Sequence, residues 1–232
     1  MTSVSAEALV LCEGAARTYG DGATATVALQ PTDCRVRQGD RVALMGPSGS
    51  GKSTLLHLMA GLDDPTVGTV SWPGIGERSG LRPGPVAVIF QGPSLLAPLT
   101  VEQNVALPLI LGGVADPAAH IAARVALERL DLRELADKLP EEISGGQAQR
   151  VAVARALAGE PSLILADEPT GQLDRTNGAV VVDVLLAAAA HAGAALVVST
   201  HDPTVAERLP DIWAMHSGRL TTTKPKEAAW SR

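Results

Sequence analysis

Several short stretches of this 232-residue chain hold side chains whose types and spacing suit phosphate chemistry. Gly46-Pro47-Ser48-Gly49-Ser50-Gly51-Lys52-Ser53, followed by Thr54, fits the phosphate-loop pattern GxxxxGK[ST] in full. Its glycines let backbone N–H groups curl around phosphate oxygens with no Cβ in the way. Lys52 would reach the β- and γ-phosphates, and the Ser53 hydroxyl would ligate Mg²⁺. Farther along, the apolar run Leu163–Ala166 ends directly in Asp167 and Glu168. Asp167 would hold the magnesium through a water. Glu168 would orient or deprotonate the water that attacks the γ-phosphate.

A second glycine pair lies in Ile143-Ser144-Gly145-Gly146-Gln147. Ser144 is a natural N-cap, and the two glycines again expose backbone N–H groups at a helix start. An ordinary capped helix accounts for the serine. It does not account for a second anion-binding helix start so far from the first.

The elements that must position these residues can be read coarsely. Arg41–Met45 is a buried-strand pattern before the phosphate loop, and Lys52–Ala60 is a helical run that stops at Gly61. Val86–Phe90 and Leu163–Ala166 read as further buried strands. Val180–Thr200 is the one stretch that could pass for a membrane span, but it contains Asp183 and His191 and breaks at Gly193. It reads instead as a helix ending near Ala192, then a strand from Ala195 to Ser199. Ala8–Leu11 and Val27–Val36 read as short strands on either side of the turn Tyr19-Gly20-Asp21-Gly22. Residues 63–85 read as turns with short strands. From Leu99 to Leu157 the pattern is mostly helical, punctuated by Pro98, Pro108, Pro117 and Pro140. This order suits a parallel sheet covered by helices, with a helical insertion in its middle third and a loosely ordered tail from about Thr221.

Composition narrows the function classes. Hydrophobic residues make up 46% and aromatics only 2%, so the core must be built from Val, Leu, Ile and Ala. Base stacking on aromatic side chains is thereby disfavoured. Nineteen Lys and Arg against twenty-five Asp and Glu give a net charge of −6, which argues against a nucleic-acid partner. Cys12 and Cys34 lack metal-ligand spacing and read as two reduced thiols in a cytosolic protein. Residues 1–12 show no basic start followed by the apolar run of a signal peptide.

Taken together, the motifs make the chain resemble the ATP-binding subunits of ABC transporters, from about Leu9 to Leu220. Ile143–Gln147 looks like that family's LSGGQ signature, with Ile for Leu. The resemblance implies an α/β P-loop NTPase with a RecA-like parallel sheet, an N-terminal antiparallel β subdomain and a helical subdomain inserted at about 95–158. Residues 1–220 would form one nucleotide-binding domain and 221–232 a tail.

The resemblance also implies roles. Tyr19 matches the aromatic that stacks on adenine, Gln91 the glutamine that senses Mg²⁺, and His201 the histidine that contacts the γ-phosphate. Gly171–Asp174 resembles a loop that crosses to the partner subunit. Ser144, Gly145, Gly146 and Gln147 would cap the γ-phosphate of ATP held by a second copy, so that two chains sandwich two ATP molecules. The wording of Phe90–Leu109 and Gly145–Asp174 is similar to the macrolide-export and lipoprotein-release branch, although Gln172 stands where that branch usually has Asn.

Such a subunit would sit on the cytoplasmic face of the cell membrane through an integral permease. The weakly charged segment Leu95–Ile110 would either form a groove for a cytoplasmic helix of that permease or pack inside the helical subdomain. A different reading keeps the ATPase but has it drive a mechanical partner that controls cell-wall hydrolysis or division without moving cargo. A soluble relative acting on DNA or ribosomes is disfavoured by the charge. A small-molecule kinase would have no use for Ile143–Gln147.

Overall fold

Two sheets organise the residues that the computed structural model describes, 7–171 and 173–222. In chain order the strands and helices are β1 (Ala8–Tyr19), β2 (Thr26–Arg37), β3 (Arg41–Met45), α1 (Lys52–Met59), β4 (Val67–Ser71) and β5 (Val86–Ile89). The helices α2 (Val101–Leu111), α3 (Asp116–Glu128) and α4 (Gly145–Leu157) follow. Then come β6 (Leu163–Asp167), α5 (Arg175–His191), β7 (Ala195–Thr200), α6 (Pro203–Ala206), β8 (Asp211–His216) and β9 (Arg219–Thr222). The larger sheet has the order β5-β6-β7-β3-β8-β9, parallel except for β9. The smaller, β2-β1-β4, is antiparallel.

Successive residues of a strand face opposite sides, so a strand covered on both faces must be apolar at nearly every position. That explains the unbroken apolar runs. Val42, Leu44, Leu163, Leu165 and Val197 pack into a core with Leu55 and Leu56 of α1 and Leu29 and Val36 of β2. Their strand neighbours Ala43, Ile164, Ala166, Leu196 and Val198 pack into a second core with Val105, Leu127, Val151 and Leu185 of α2–α5. Each fully buried Leu or Ile contributes roughly 1.5–3 kcal/mol by leaving water.

Several elements differ from the sequence reading. β1 and β2 are 12-residue strands, much longer than Ala8–Leu11 and Val27–Val36. β1 pairs on both edges, and its register shifts around Cys12, Ala15 and Arg17 break the simple alternation that would have revealed its length. Pro108 does not punctuate but lies inside α2, where Val101, Val105 and Ala106 are buried. Packing there outweighs the hydrogen bond that a proline cannot donate. Thr221, expected in the tail, pairs with Ala214 in β9 because the outer edge of β8 offers backbone partners. The remainder of that tail, from residue 223, and Gln172 lie outside the described residues. Val180–Thr200 resolves into the end of α5 and the strand β7. Among the described residues no helix is long and apolar enough to cross a membrane.

Candidate active site

Parallel register aligns the carboxyl ends of four neighbouring strands. Ile89 pairs with Ala166, Asp167 with Ser199, and Met45 with Thr200. Gln91, Glu168, His201 and Gly46 follow these ends and leave the sheet along one edge, the usual ligand position in an open parallel sheet.

The phosphate loop leaves β3 at Gly46, where a Cβ would lie 2.2 Å from the Met215 carbonyl oxygen. Gly51, at φ 104°, closes the loop with 2.4 Å between a would-be Cβ and the Ala28 carbonyl oxygen. The Gly218 N–H donates to the Ser50 carbonyl, and the Gly218 carbonyl accepts from Gln30 N, each at 2.8 Å. β2 and the β8–β9 turn thereby brace the loop from behind. α1 then begins with no side chain on its first amides, which therefore face outward as donors. They border a cavity of about 300 Å³ walled by the loop from Ser48 to Thr54 (Ser50 excepted), Ala28, Gln91 and Glu168. The Ser50 hydroxyl is buried with no hydrogen-bond partner among the described residues.

Lys52 is only 4% exposed. Its ammonium donates to the carbonyls of Gly46 at 2.9 Å and Pro47 at 3.1 Å, and pairs with Glu168 Oε1 at 3.1 Å. Glu168 Oε2 lies 3.1 Å from His201 Nδ1. One carboxylate thus bridges the loop lysine and the histidine. Asp167 closes β6, and its Oδ1 accepts from the Ser199 hydroxyl at 2.6 Å.

Gln91 lines the cavity from a loop gripped by α4. The Gln149 amide donates to the Phe90 carbonyl at 3.4 Å, and the Arg155 guanidinium to the carbonyls of Ser94 at 2.8 Å and Pro93 at 3.1 Å. Burial lowers the Arg155 pKa. At the other end of α4, Ser144 and Gln147 form a reciprocal cap, with Ser144 and Gly145 exposed and away from the cavity lining. Asp174 caps α5, and the Asn177 N–H and side-chain amide hold its carboxyl below its ordinary range.

Tyr19 is 40% exposed at the end of β1 and is not in the cavity wall. The Arg17 guanidinium lies 4.7 Å from its ring centroid, and its hydroxyl donates to Asp63 Oδ2 at 2.8 Å. Burial raises the Asp63 carboxyl, but Tyr19, the Asp64 N–H and Arg17 outweigh it, so its pKa is lowered.

The segment Leu95–Ile110 divides between a packed face and an open one. Val101, Val105 and Ala106 are buried, whereas Leu107, Pro108 and Leu109 border a cavity of about 510 Å³ shared with Val88 and Phe90. The sequence reading missed Ser199, Gln149, Arg155, Arg17 and Asp63. A hydroxyl within the apolar run Ala195–Val198 and Thr200 was the one available signal for Ser199.

A strand that feeds a glycine loop into a helix start, inside a parallel sheet, defines a P-loop NTPase. Comparison with known proteins narrows that class. A family model described as ABC transporter matches residues 29–171. The lipoprotein-releasing system ATP-binding protein LolD of Legionella pneumophila is 41% identical over 211 residues, covering 88% of this chain and 93% of that protein. An uncharacterized ABC transporter ATP-binding protein of Mycobacterium tuberculosis is 38% identical over 217 residues, covering 90% of this chain and 88% of that one. Among solved structures, a dimeric ATP-binding cassette in a post-hydrolysis state, bound to ADP and Pi, superposes with a TM-score of 0.83 at 33% identity. It spans 94% of this chain and 100% of its own. The chain belongs to the ABC transporter family, as one of its ATP-hydrolysing cassettes.

Proposed function

We propose that this chain is the ATPase subunit of a permease complex of the macrolide-export or lipoprotein-release type, in which two copies close around two ATP molecules. The observation that carries the proposal is a division of the motifs. Lys52, Gln91 and Glu168 surround one cavity, while Ser144 and Gly145 stand exposed at the start of α4, outside it. In a two-fold pair each α4 tip would complete the other copy's site. The dimeric cassettes among the solved relatives and the lipoprotein-releasing names among the sequence relatives support this reading. In it, residues 1–220 form one nucleotide-binding domain, with 95–158 as the helical subdomain. The cavity beside Leu107 and Phe90 receives a cytoplasmic helix of the permease, which holds the chain at the cytoplasmic face of the membrane.

Within the site, the amides of Gly49, Gly51, Lys52 and Ser53, which line the cavity, would cradle phosphate oxygens. A γ-phosphate would compete with Glu168 for Lys52, freeing that carboxylate for the attacking water. His201, 3.1 Å from Glu168, would contact the γ-phosphate and keep the carboxylate aimed. Ser53, Gln91 and Asp167 offer hydroxyl, amide and carboxylate oxygens, a hard donor set that fits Mg²⁺. When bound, that ion supplies charge neutralisation on the phosphates. Tyr19 would stack on adenine through the ring face opposite Arg17, and Asp174 would lie at the crossing between subunits. Gly146 and Gln147 would join Ser144 and Gly145 at the partner's nucleotide.

The test is Glu168→Gln. Turnover should fall by about 10²-fold or more, while Mg-ATP should shift the variant to a dimer in light scattering. A variant that binds ATP yet stays monomeric at all concentrations would remove the paired-site reading.

A further inference from the structure

We infer that Ser199 is a positioning residue of the hydrolytic site, whose single hydroxyl fixes the Asp167 carboxylate and the Glu168 main chain together. The inference rests on the proposed assignment of Asp167 to the metal and Glu168 to the attacking water. Ser199 lies in β7, a strand buried along its whole length, and is itself 0% exposed. A hydroxyl in such a place is unfavourable unless its bonding capacity is used. Here it acts in both directions. The hydroxyl donates to Asp167 Oδ1 at 2.6 Å and accepts from the Glu168 N–H at 2.9 Å.

Register makes the bridge short, because Ser199 is the direct partner of Asp167 across the β6–β7 ladder. The bond to Oδ1 restrains rotation of the carboxylate, as outer partners do for metal ligands. The bond from Glu168 holds a residue at φ 43°, a left-handed conformation that a non-glycine residue keeps only when its surroundings enforce it. Among the described residues this hydroxyl bonds to Asp167 and Glu168 and not to Lys52 or the loop amides, so its loss should spare ATP binding and strike metal binding and turnover.

Ser199→Thr and Ser199→Val give side chains of the same shape that differ in the hydroxyl, so packing effects cancel between them. Mn²⁺ binding would be followed by electron paramagnetic resonance with the imido analogue of ATP, alongside kcat and KM for ATP hydrolysis. The Val variant should require about tenfold more Mn²⁺ and lose about tenfold or more in kcat, with KM within about twofold, in line with the usual effect of an outer-shell partner. The Thr variant should stay within about threefold of the native chain in each quantity. Equal Mn²⁺ requirements for Thr and Val, at any level of activity, would overturn the inference. Asp167→Asn separates the two levels. If it leaves Mn²⁺ binding unchanged, the assignment of Asp167 to the metal falls. If it weakens binding while Ser199→Val does not, only the role of Ser199 falls.

Discussion

Two helices begin on glycine-bearing turns, and they treat their first amides in opposite ways. At α1 the cap position is Gly51, no side chain accepts from the helix start, and Lys52 is buried against the loop's own carbonyls. At α4, Ser144 Oγ accepts from the Gln147 N–H at 3.3 Å, and Gln147 Oε1 accepts from the Ser144 N–H at 2.8 Å. Both starts carry the positive end of a helix dipole. α4 fills part of its own donor set and so can stand exposed. α1 leaves its donors for an anion and needs β2 and the β8–β9 turn to hold it in shape. The difference matches a cradle that encloses phosphates and a tip that must travel to meet them.

Removing the cation from the cradle should have the largest effect. Lys52→Ala should lower ATP hydrolysis by at least about 10²-fold and weaken ATP binding measured by calorimetry. Native activity in that variant would refute the assignment of the loop. Gly51→Ala comes next, since the added methyl meets the Ala28 carbonyl and the residue must keep φ 104°. It should cost about 2–4 kcal/mol in denaturant unfolding, whereas Gly145→Ala, with open space around its Cβ position, should cost about 1 kcal/mol or less.

Ser144→Ala should lower stability by about 1 kcal/mol through the lost cap. Ser144→Asp keeps a capping oxygen but removes the hydroxyl donor, so native stability with impaired hydrolysis would separate the two uses of that serine. The smallest effect concerns the Tyr19 end of the site. Because its pKa is lowered on folding, Asp63 contributes stability that is present above its ordinary value of 3.8 and lost as pH falls through its folded value. Asp63→Asn should lower stability slightly at neutral pH and flatten the acid limb of a stability–pH curve below about pH 4, so that variant and native chain converge in acid.

The cradle was legible because strand, loop and helix are contiguous, so each residue of Gly46–Ser53 announces its own context. Asp167 and Glu168 were legible for a similar reason, as charges at the end of an apolar run. Ser199 was not, because its partners come from a neighbouring strand and nothing local marks the pairing. The same holds for Gln149 and Arg155, whose acceptors are backbone oxygens of a distant loop and carry no side-chain signature. Strand length was misread in β1 and β2 because bulges erase the two-residue period that sequence patterns depend on. Pro108 misled in the other direction: a local rule against helix was overruled by tertiary burial of Val105 and Ala106.

The grip of α4 on the loop that carries Gln91 leaves only the first turn of this helix as a free arm. Gln149 and Arg155 clamp the carbonyls on both sides of Gln91, and Ser144 stands at the free end. At 1.5 Å per residue the arm from Gln149 to Ser144 is about 7.5 Å, so a tilt of about 10° at the clamp swings the tip by about 1.3 Å. A displacement of that size stretches a hydrogen bond of about 2.9 Å beyond its working range. A small adjustment at Gln91 is therefore enough to engage or release a contact at the start of the helix.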